Sequence, residues 1–277
     1  MTTTLRPSGP IDEGADGARA RTYDVCDNGH PVGAVEIGTD PRFGPTAAVL
    51  RSLRIDEAHR RRGRGTIAAL AAEEVLRGWG CTQVRLEAPA DDPATRGLAA
   101  ALGYTVRSRN MLKDLHEPVP APPDGLTGRP MTEREFAVWL STAVDTYAQE
   151  WTRRGVPEEQ ARRKSELDHA TLLPQGLATE GTSFHVLAAG DEVVGHVWVA
   201  RETPQGEPIG YVFDVEVRED RRGHGHGRTL MRLAEDVTLA AGLDRLGLHV
   251  FESNTPALRL YESLGYATTR YNLAKAL

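Results

Sequence analysis

One pattern recurs in this chain at a constant spacing of 162 residues. Gly-rich loops begin at Arg60 and Arg222, which gives 222 − 60 = 162. Two Leu-Gly-Tyr triplets, centred on Gly103 and Gly265, keep the spacing, since 265 − 103 = 162. The same offset relates Asn110 to Asn272, Lys113 to Lys275 and Leu115 to Leu277. A register kept without gaps over this length predicts a duplicated structural unit.

Composition along the chain predicts where these units begin and end. The chain has 277 residues, which is long for one domain and suits two domains of about 100–150 residues. The stretch 116–126 is rich in proline, which is typical of an extended linker. Residues 1–20 are rich in Gly, Thr and charge and predict a flexible tail. We therefore expect a first domain at 21–115 and a second at 127–277.

Both domains are predicted to have an α/β fold with one mixed sheet. In the second domain, Thr132 and Glu135 form a capping-box pattern ahead of apolar residues at helical spacing. Alternating runs around Gly190-Asp191 predict a hairpin, and further strands and helices follow the second Gly-rich loop. The first domain repeats this order but has nothing matching the helix pair at 132–170. It is therefore predicted to be a truncated, degenerate copy.

Each Gly-rich loop lies between a predicted strand and a predicted helix. The N–H groups at a helix N-terminus have no partners within the helix, and together with the helix dipole they attract anions such as pyrophosphate. A dinucleotide site needs Gly-x-Gly-x-x-Gly and a Walker loop needs Gly-Lys-Ser/Thr; the loop at 222–227 has neither. A turn without a ligand and a loop for the pyrophosphate of coenzyme A remain as interpretations.

Two motifs in the second domain carry a resemblance to a known family. Arg222-x-x-Gly225-x-Gly227, preceded by the strand 211–217, resembles the main acyl-CoA motif of the GNAT superfamily of N-acetyltransferases. Asn254-x-x-Ala257-x-x-x-Tyr261, followed by the Leu-Gly-Tyr triplet, resembles the second motif of that family. The resemblance covers 127–277 well and 21–115 more weakly. It implies two tandem GNAT folds, the N-terminal one truncated, and acetyl-CoA as co-substrate. The tandem arrangement also resembles mycothiol synthases, although no residue singles out their acceptor.

The resemblance also implies a role for each motif residue. The backbone around Val215 and Val217 would hold the pantetheine arm and polarise the thioester carbonyl, and Tyr261 would protonate the departing thiolate. The other predicted cofactor-binding residues are Arg222, Gly223, His224, Gly225, His226, Gly227, Arg228, Asn254 and Ala257. A core position for Tyr261 and a helix-capping role for Asn254 stay open as structural alternatives. His224 and His226 lack partners at metal-ligand spacing, so no metal is expected.

A base must take a proton from the attacking amine, which is cationic at neutral pH. Glu216 on the strand before the loop is the first candidate, Asp214 the second and His249 the third. Solvated strand carboxylates are the alternative interpretation for Glu216 and Asp214. The acceptor is expected between the helix pair and the hairpin, beside Tyr147, Glu150 and Trp151.

Catalysis is expected in the second domain. The offset of 162 carries Tyr261 back to Ala99, which has no proton to donate, and Asn254 back to Asp92. The predicted function is transfer of an acetyl group to a primary amine of a small molecule. Acetylation of a protein Lys or N-terminus and a non-catalytic CoA sensor are the alternatives.

Composition limits the partners. The net charge of −6 disfavours a nucleic-acid partner, and no apolar run approaches the ~20 residues that span a bilayer. Two cysteines and the absence of an apolar leader predict a cytoplasmic location. A homodimer is one option that the sequence leaves open.

Overall fold

The computed structural model describes residues 2–14, 17–41, 44, 46–116, 118–153 and 157–277. These residues divide into two compact units. Unit one contains 2–108 and 270–277, and unit two contains 109–153 and 157–269. Each unit combines strands of a mixed sheet with helices, so the predicted α/β class is confirmed. No helix within the described ranges is long and apolar enough to cross a membrane.

Unit one is built from most of the first repeat and the end of the chain. Its sheet has the order β1-β3-β4-β5-β6-β13, with β2 paired to β3; β13 is the strand Ala267–Ala276 near the end of the chain. Its core is formed by apolar side chains of the strands and of helix α1. The elements are β1 (Thr3–Pro7), β2 (Asp12–Glu13), β3 (Arg19–Asp27), β4 (His30–Thr39), β5 (Ala47–Ile55), α1 (Arg64–Gly78), β6 (Gln83–Pro89) and α2 (Pro93–Ala101).

The N-terminal segment differs from the predicted flexible tail. Residues 3–7 form β1, which pairs antiparallel with β3 from Thr3↔Asp27 to Pro7↔Tyr23. Arg6 also forms an ion pair with Asp24 of β3. The prediction of a loose tail is therefore wrong for this segment, because β3 offers an edge whose backbone groups take a further strand.

Unit two contains the helix pair that the first repeat lacks. Its sheet has the order β7-β12-β11-β10-β9-β8, and helices α3 and α4 follow β8. The elements are β7 (Thr105–Asp114), β8 (Leu126–Pro130), α3 (Glu133–Arg153), α4 (Glu158–Leu172), β9 (Thr182–Ala189), β10 (Glu192–Glu202), β11 (Ile209–Val217), α5 (His226–Ala240), β12 (Arg245–Phe251) and α6 (Thr255–Ser263).

The predicted capping box starts α3. Thr132 N–H donates to Glu135 Oε2 at 2.8 Å, and Glu135 N–H donates to Thr132 Oγ1 at 3.3 Å. The two bonds satisfy donors that the helix itself cannot pair. The first turn of α3 is thereby held at the end of β8.

The last strand of each repeat, β7 or β13, makes the compact units differ from the domains predicted at 21–115 and 127–277. Residues 109–114 of β7 belong to unit two, and residues 270–276 of β13 belong to unit one. In unit one, β13 pairs antiparallel with β6 from Arg270↔Pro89 to Ala276↔Gln83. Each repeat therefore completes its sheet with the last strand of the other repeat.

A buried lysine–glutamate pair accompanies each of these strands. In unit one, Lys275 Nζ lies 2.7 Å from Oε2 of Glu73, whose side chain is fully buried on α1. In unit two, Lys113 Nζ lies 2.8 Å from Oε1 of Glu235, which is 5 % exposed on α5. Each ammonium group also faces a tyrosine ring of its unit, at 5.6 Å for Tyr104 and 5.7 Å for Tyr266. The duplicated positions thus place one buried charge pair in each unit.

Candidate active site

A gap opens in the sheet of unit two where two parallel strands separate. β11 and β12 pair only at Gly210–Val212 with Leu246–Leu248, although the strands continue to Val217 and Phe251. The gap encloses about 170 Å³ and is lined by Val212–Val215, Leu248–Phe251, Asn254 and Tyr261. β11 is irregular here as well, because its register with β10 shifts between Trp198↔Asp214 and Val199↔Val212. The backbone after Val212 therefore faces a cleft on the β12 side.

The predicted pyrophosphate loop forms a cradle of backbone donors at the start of α5. The N–H groups of residues 223–227 have no hydrogen-bond partner among the described residues. Gly223 and Gly225 both have φ of +82°, and a Cβ built on either meets no atom within 4 Å. Consecutive unpaired N–H groups at a helix N-terminus bind anionic groups. This backbone therefore has the geometry of an anion-binding site.

The two arginine side chains of this loop form hydrogen bonds or ion pairs with other groups of the protein. Arg222 donates from Nε to the carbonyl of Val217 at 3.1 Å and has Nη2 3.7 Å from Glu216. Arg228 donates to Ser263 of α6. The rings of His224 and His226 lie 5.9 Å apart, centroid to centroid. The structure thus brings the predicted loop residues together with Val217 at the end of β11.

Helix α6 and its N-cap place two predicted site residues, Asn254 and Tyr261, beside the gap. Asn254 is the N-cap of α6, and its Oδ1 accepts from Ala257 N–H at 3.3 Å. The capping role of Asn254 is thereby confirmed. Tyr261 lines the gap but is only 6 % exposed, within the core of unit two. Burial, and then the negative charge of Asp214, raise the pKa of Tyr261 to about 12. Its phenol therefore stays protonated at neutral pH.

A larger cavity lies between α3, α4 and the sheet. It encloses about 860 Å³. Tyr147 and Glu150 line it as predicted, but Trp151 is 2 % exposed and packs beneath Lys164, whose Nζ lies 4.8 Å from the ring. An aromatic wall is formed instead by Trp139, Trp198 and Phe213, with Trp198 and Phe213 stacked at 4.7 Å. The prediction for Trp151 as a cavity wall is therefore wrong, because the side chain faces the core.

Asp214 is the polar centre of this cavity. Its Oδ2 accepts a hydrogen bond from Trp139 Nε1 at 2.8 Å and lies 2.9 Å from His196 Nε2. Burial alone would raise the pKa of Asp214, but the hydrogen bond and charge of His196, with hydrogen bonds from Trp139 and the Val215 backbone, outweigh burial and lower it. Asp214 and Phe213 line both the cavity and the strand gap. The two spaces therefore meet at these residues.

The other acidic and basic candidates lie in different surroundings. Glu216 lines the cavity with a side chain that is 57 % exposed and close to Arg222. Glu135 also lines it, but its hydrogen bonds with Arg129 lower its pKa to about 2. His249 lines the strand gap. Asp214 therefore has the most constrained position of the carboxylates considered for the reaction.

Trp139 and His196 are the two side-chain partners of Asp214 that the sequence did not connect to it. Trp139 follows Phe136 by three residues, so helical periodicity places it on the apolar face of α3. Trp139 and Asp214 are 214 − 139 = 75 residues apart in the sequence, so no local pattern could predict their hydrogen bond. His196 and Trp198 share one face of β10, and this was the only sequence signal for the pair with Asp214.

Unit one keeps the loop geometry but not the reactive side chains. Arg61 and Gly63 have positive φ of 57° and 76° at the start of α1. The offset of 162 places Ala99 at the position of Tyr261, Ser52 at Asp214 and Ala34 at His196. Tyr261, Asp214 and His196 of unit two thus have no ionisable side chain at the matching positions of unit one.

The fold agrees with that of known proteins to which this chain is similar. The acetyltransferase (GNAT) family model matches residues 5–104 and 140–266. Mycothiol acetyltransferase of Thermobispora bispora is 33 % identical over 214 residues, which cover 74 % of this chain and 68 % of that protein. The chain therefore belongs to the acetyltransferase (GNAT) family and is an acyl-CoA-dependent N-acetyltransferase.

Two solved structures share the fold over most of the chain. A GCN5-related N-acetyltransferase from Sphaerobacter thermophilus has a TM-score of 0.59 at 21 % identity, covering 92 % of this chain and 80 % of that one. A tandem GNAT protein from the clavulanic acid biosynthesis pathway has a TM-score of 0.53 at 19 % identity, covering 95 % and 85 %. The predicted tandem GNAT fold is thus confirmed.

Proposed function

We propose that unit two transfers an acetyl group from acetyl-CoA to the primary amine of a small molecule. The observation that carries this proposal is the meeting of the strand gap and the large cavity at Phe213 and Asp214. Strand β11, which lines the gap, ends at Val217 shortly before the backbone cradle at 223–227, and a long thioester co-substrate would reach from one to the other. The cavity on the other side leaves room for an acceptor.

Each group of residues around the gap has a separate role in the reaction. The N–H groups of residues 223–227 bind the diphosphate, and Arg222 adds a positive charge beside them. The backbone around Val215 and Val217 orients the pantetheine arm and stabilises negative charge on the carbonyl oxygen. Asn254 and Ala257 border the arm from α6. Tyr261 donates its proton to the departing sulfur.

The cavity favours a small acceptor. Its volume of about 860 Å³ lies in the range of small-molecule pockets, about 300–1,000 Å³. It is bounded by α3 and α4 and carries the carboxylates of Asp214, Glu216 and Glu150 beside an aromatic wall. These features suit an ammonium group attached to an apolar or ring-shaped body. The relative from Thermobispora bispora is named for acetylation of mycothiol, which agrees with a small acceptor.

A thiol-release screen tests the function. The full chain is incubated with acetyl-CoA and a library of primary amines, together with lysine-containing peptides. We expect release of coenzyme A with at least one small amine at a higher kcat/KM than with any peptide. A preference for peptides would replace the small acceptor with a protein. Lack of release with every amine, while coenzyme A binds, would indicate a sensor.

Gly225 provides a test of the cradle. Replacement by Ala forces a side chain into φ of +82° at the N-cap of α5, which costs about 1–2 kcal/mol when the backbone is kept. A shifted backbone would misalign the N–H groups, so we expect the Kd for acetyl-CoA to rise about tenfold or more by calorimetry.

Gly190 supplies the matched control for this substitution. It has φ of +61° and open space at its Cβ, in the turn between β9 and β10. Gly190→Ala carries comparable strain, and we expect it to leave the Kd unchanged. Equal affinities in both variants and the parent protein would mean that the cradle does not bind the diphosphate.

A further inference from the structure

We propose that His196 takes the proton from the acceptor's ammonium group, and that Asp214 and Trp139 hold its imidazole for this task. The inference rests on the proposed function, because it assigns the proton acceptor of that same reaction. An amine attacks a carbonyl carbon through its lone pair, so a cationic acceptor must first lose a proton.

Hydrogen bonds determine which nitrogen of His196 can accept. Asp214 Oδ2 receives the indole N–H of Trp139 at 2.8 Å and lies 2.9 Å from Nε2 of His196. An ionised carboxylate only accepts hydrogen bonds, so Nε2 carries a hydrogen and donates it. The lone pair of the neutral ring is then on Nδ1. The structure gives this atom no hydrogen-bond partner among the described residues.

The position of His196 suits this role. Its side chain is 19 % exposed and lines the acceptor cavity. Its hydrogen-bond partner Asp214 lies where the cavity meets the strand gap. The imidazole thus lies in the cavity and is hydrogen-bonded to a residue that also lines the strand gap.

Two carboxylates compete with His196 for the proton. Asp214 is held ionised by its donors, and its lowered pKa makes it a poor proton acceptor. It can nevertheless attract the ammonium group by its charge. Glu216 is largely exposed to solvent and lies beside Arg222. Imidazole is the side chain best suited to exchange protons near neutral pH.

Charged and titratable groups around the cavity set the conditions for this exchange. They are Asp214 and Glu216 on β11, Arg218 after it, Arg134, Glu135, Tyr147 and Glu150 on α3, and His169 on α4. Carboxylates and cations are both present. The direct hydrogen bond with Asp214 is the contact specific to His196.

The protons balance in the following way. The acceptor ammonium loses one proton to His196 Nδ1, and the amine nitrogen then forms a bond to the thioester carbonyl carbon. The carbon–sulfur bond breaks, and the sulfur takes the proton of Tyr261. The nitrogen loses a second proton, which restores Tyr261. His196 releases its proton to solvent through the open cavity.

His196→Gln separates proton acceptance from hydrogen bonding. The amide nitrogen of Gln can still donate to Asp214, but the side chain cannot accept a proton at neutral pH. With the best acceptor from the screen, we expect kcat/KM to fall about 10²–10³-fold, while the Kd for acetyl-CoA is unchanged. His30→Gln, at an exposed position of unit one, is expected to keep the parent rate. A loss below about threefold in His196→Gln would overturn the proposal.

Chemical rescue distinguishes a base from a structural residue. We expect added imidazole to restore the rate of His196→Ala at least about tenfold, in proportion to the unprotonated fraction of imidazole. A slow variant that imidazole does not restore at any pH would assign His196 a structural role and contradict the proposal.

The tautomer can be tested without any acceptor. In ¹⁵N spectra of histidine-labelled full-length protein, with His196→Gln identifying the resonance, we expect a hydrogen on Nε2 and none on Nδ1. A hydrogen on Nδ1 would overturn the proposal even if acetyl transfer occurs. Conversely, the expected tautomer without acetyl transfer to any amine would leave the proposed function, and not this geometry, in error.

Discussion

Replacing Tyr261 with Phe is expected to lower kcat by about 10²–10⁴-fold, the range that general acid–base catalysis contributes. The ring stays in the core of unit two beside Tyr266, at 5.9 Å between centroids, so only the hydroxyl is lost. The pKa of Tyr261 is raised to about 12, and the phenol therefore carries its proton at neutral pH. Steady-state kinetics measure the fall in kcat, and the melting temperature of the variant measures whether the core of unit two keeps its stability.

Tyr211 is a matched control for the loss of a phenol. Burial, and then Glu202, raise its pKa to about 12 as well, but it does not line either space of the active site among the described residues. We expect Tyr211→Phe to keep kcat within about twofold. If Tyr261→Phe also kept kcat, Tyr261 would be a core residue, which is the alternative that its sequence position leaves open.

Replacing Lys275 with Ala is expected to lower the free energy of unfolding of unit one by about 3–5 kcal/mol, the usual cost of breaking a buried ion pair. The reason is that the carboxyl group of Glu73 is fully buried and would lose its partner at 2.7 Å, which leaves a buried polar group uncompensated. Hydrogen exchange of the α1 amides in the full chain measures the change in this unit. A change below about 1 kcal/mol would show that the pair does not hold β13 in the sheet.

Two further variants separate charge burial from lost packing. Arg77→Ala removes an exposed ion pair with Glu74 on the same helix α1, and we expect a change of at most about 0.5 kcal/mol. Combining Lys275→Met with Glu73→Leu removes both charges, and we expect it to recover most of the stability. If the double variant were as unstable as Lys275→Ala, packing rather than the unpaired charge would explain the loss.

Local sequence patterns were sufficient for the elements that depend on neighbouring residues. Backbone periodicity and capping act over a few positions, so the capping box at Thr132, the loop at 222–227 and the cap at Asn254 could be read from the chain. The repeat offset likewise predicted a second copy with Ala99 in place of Tyr261. The tail at 3–7 was mispredicted because a strand at a sheet edge depends on a distant partner.

The tandem α/β architecture could be predicted from local pattern and from duplication, and the enzyme family from the resemblance of two motifs to those of the GNAT superfamily. The exchanged strands, the orientation of Trp151 and the joining of Trp139, His196 and Asp214 could be established only from the folded chain. These features arise where residues far apart in sequence compete for the same buried space. Sheet pairing and burial decide which residues occupy that space, and both depend on contacts that a pattern of neighbouring residues does not describe.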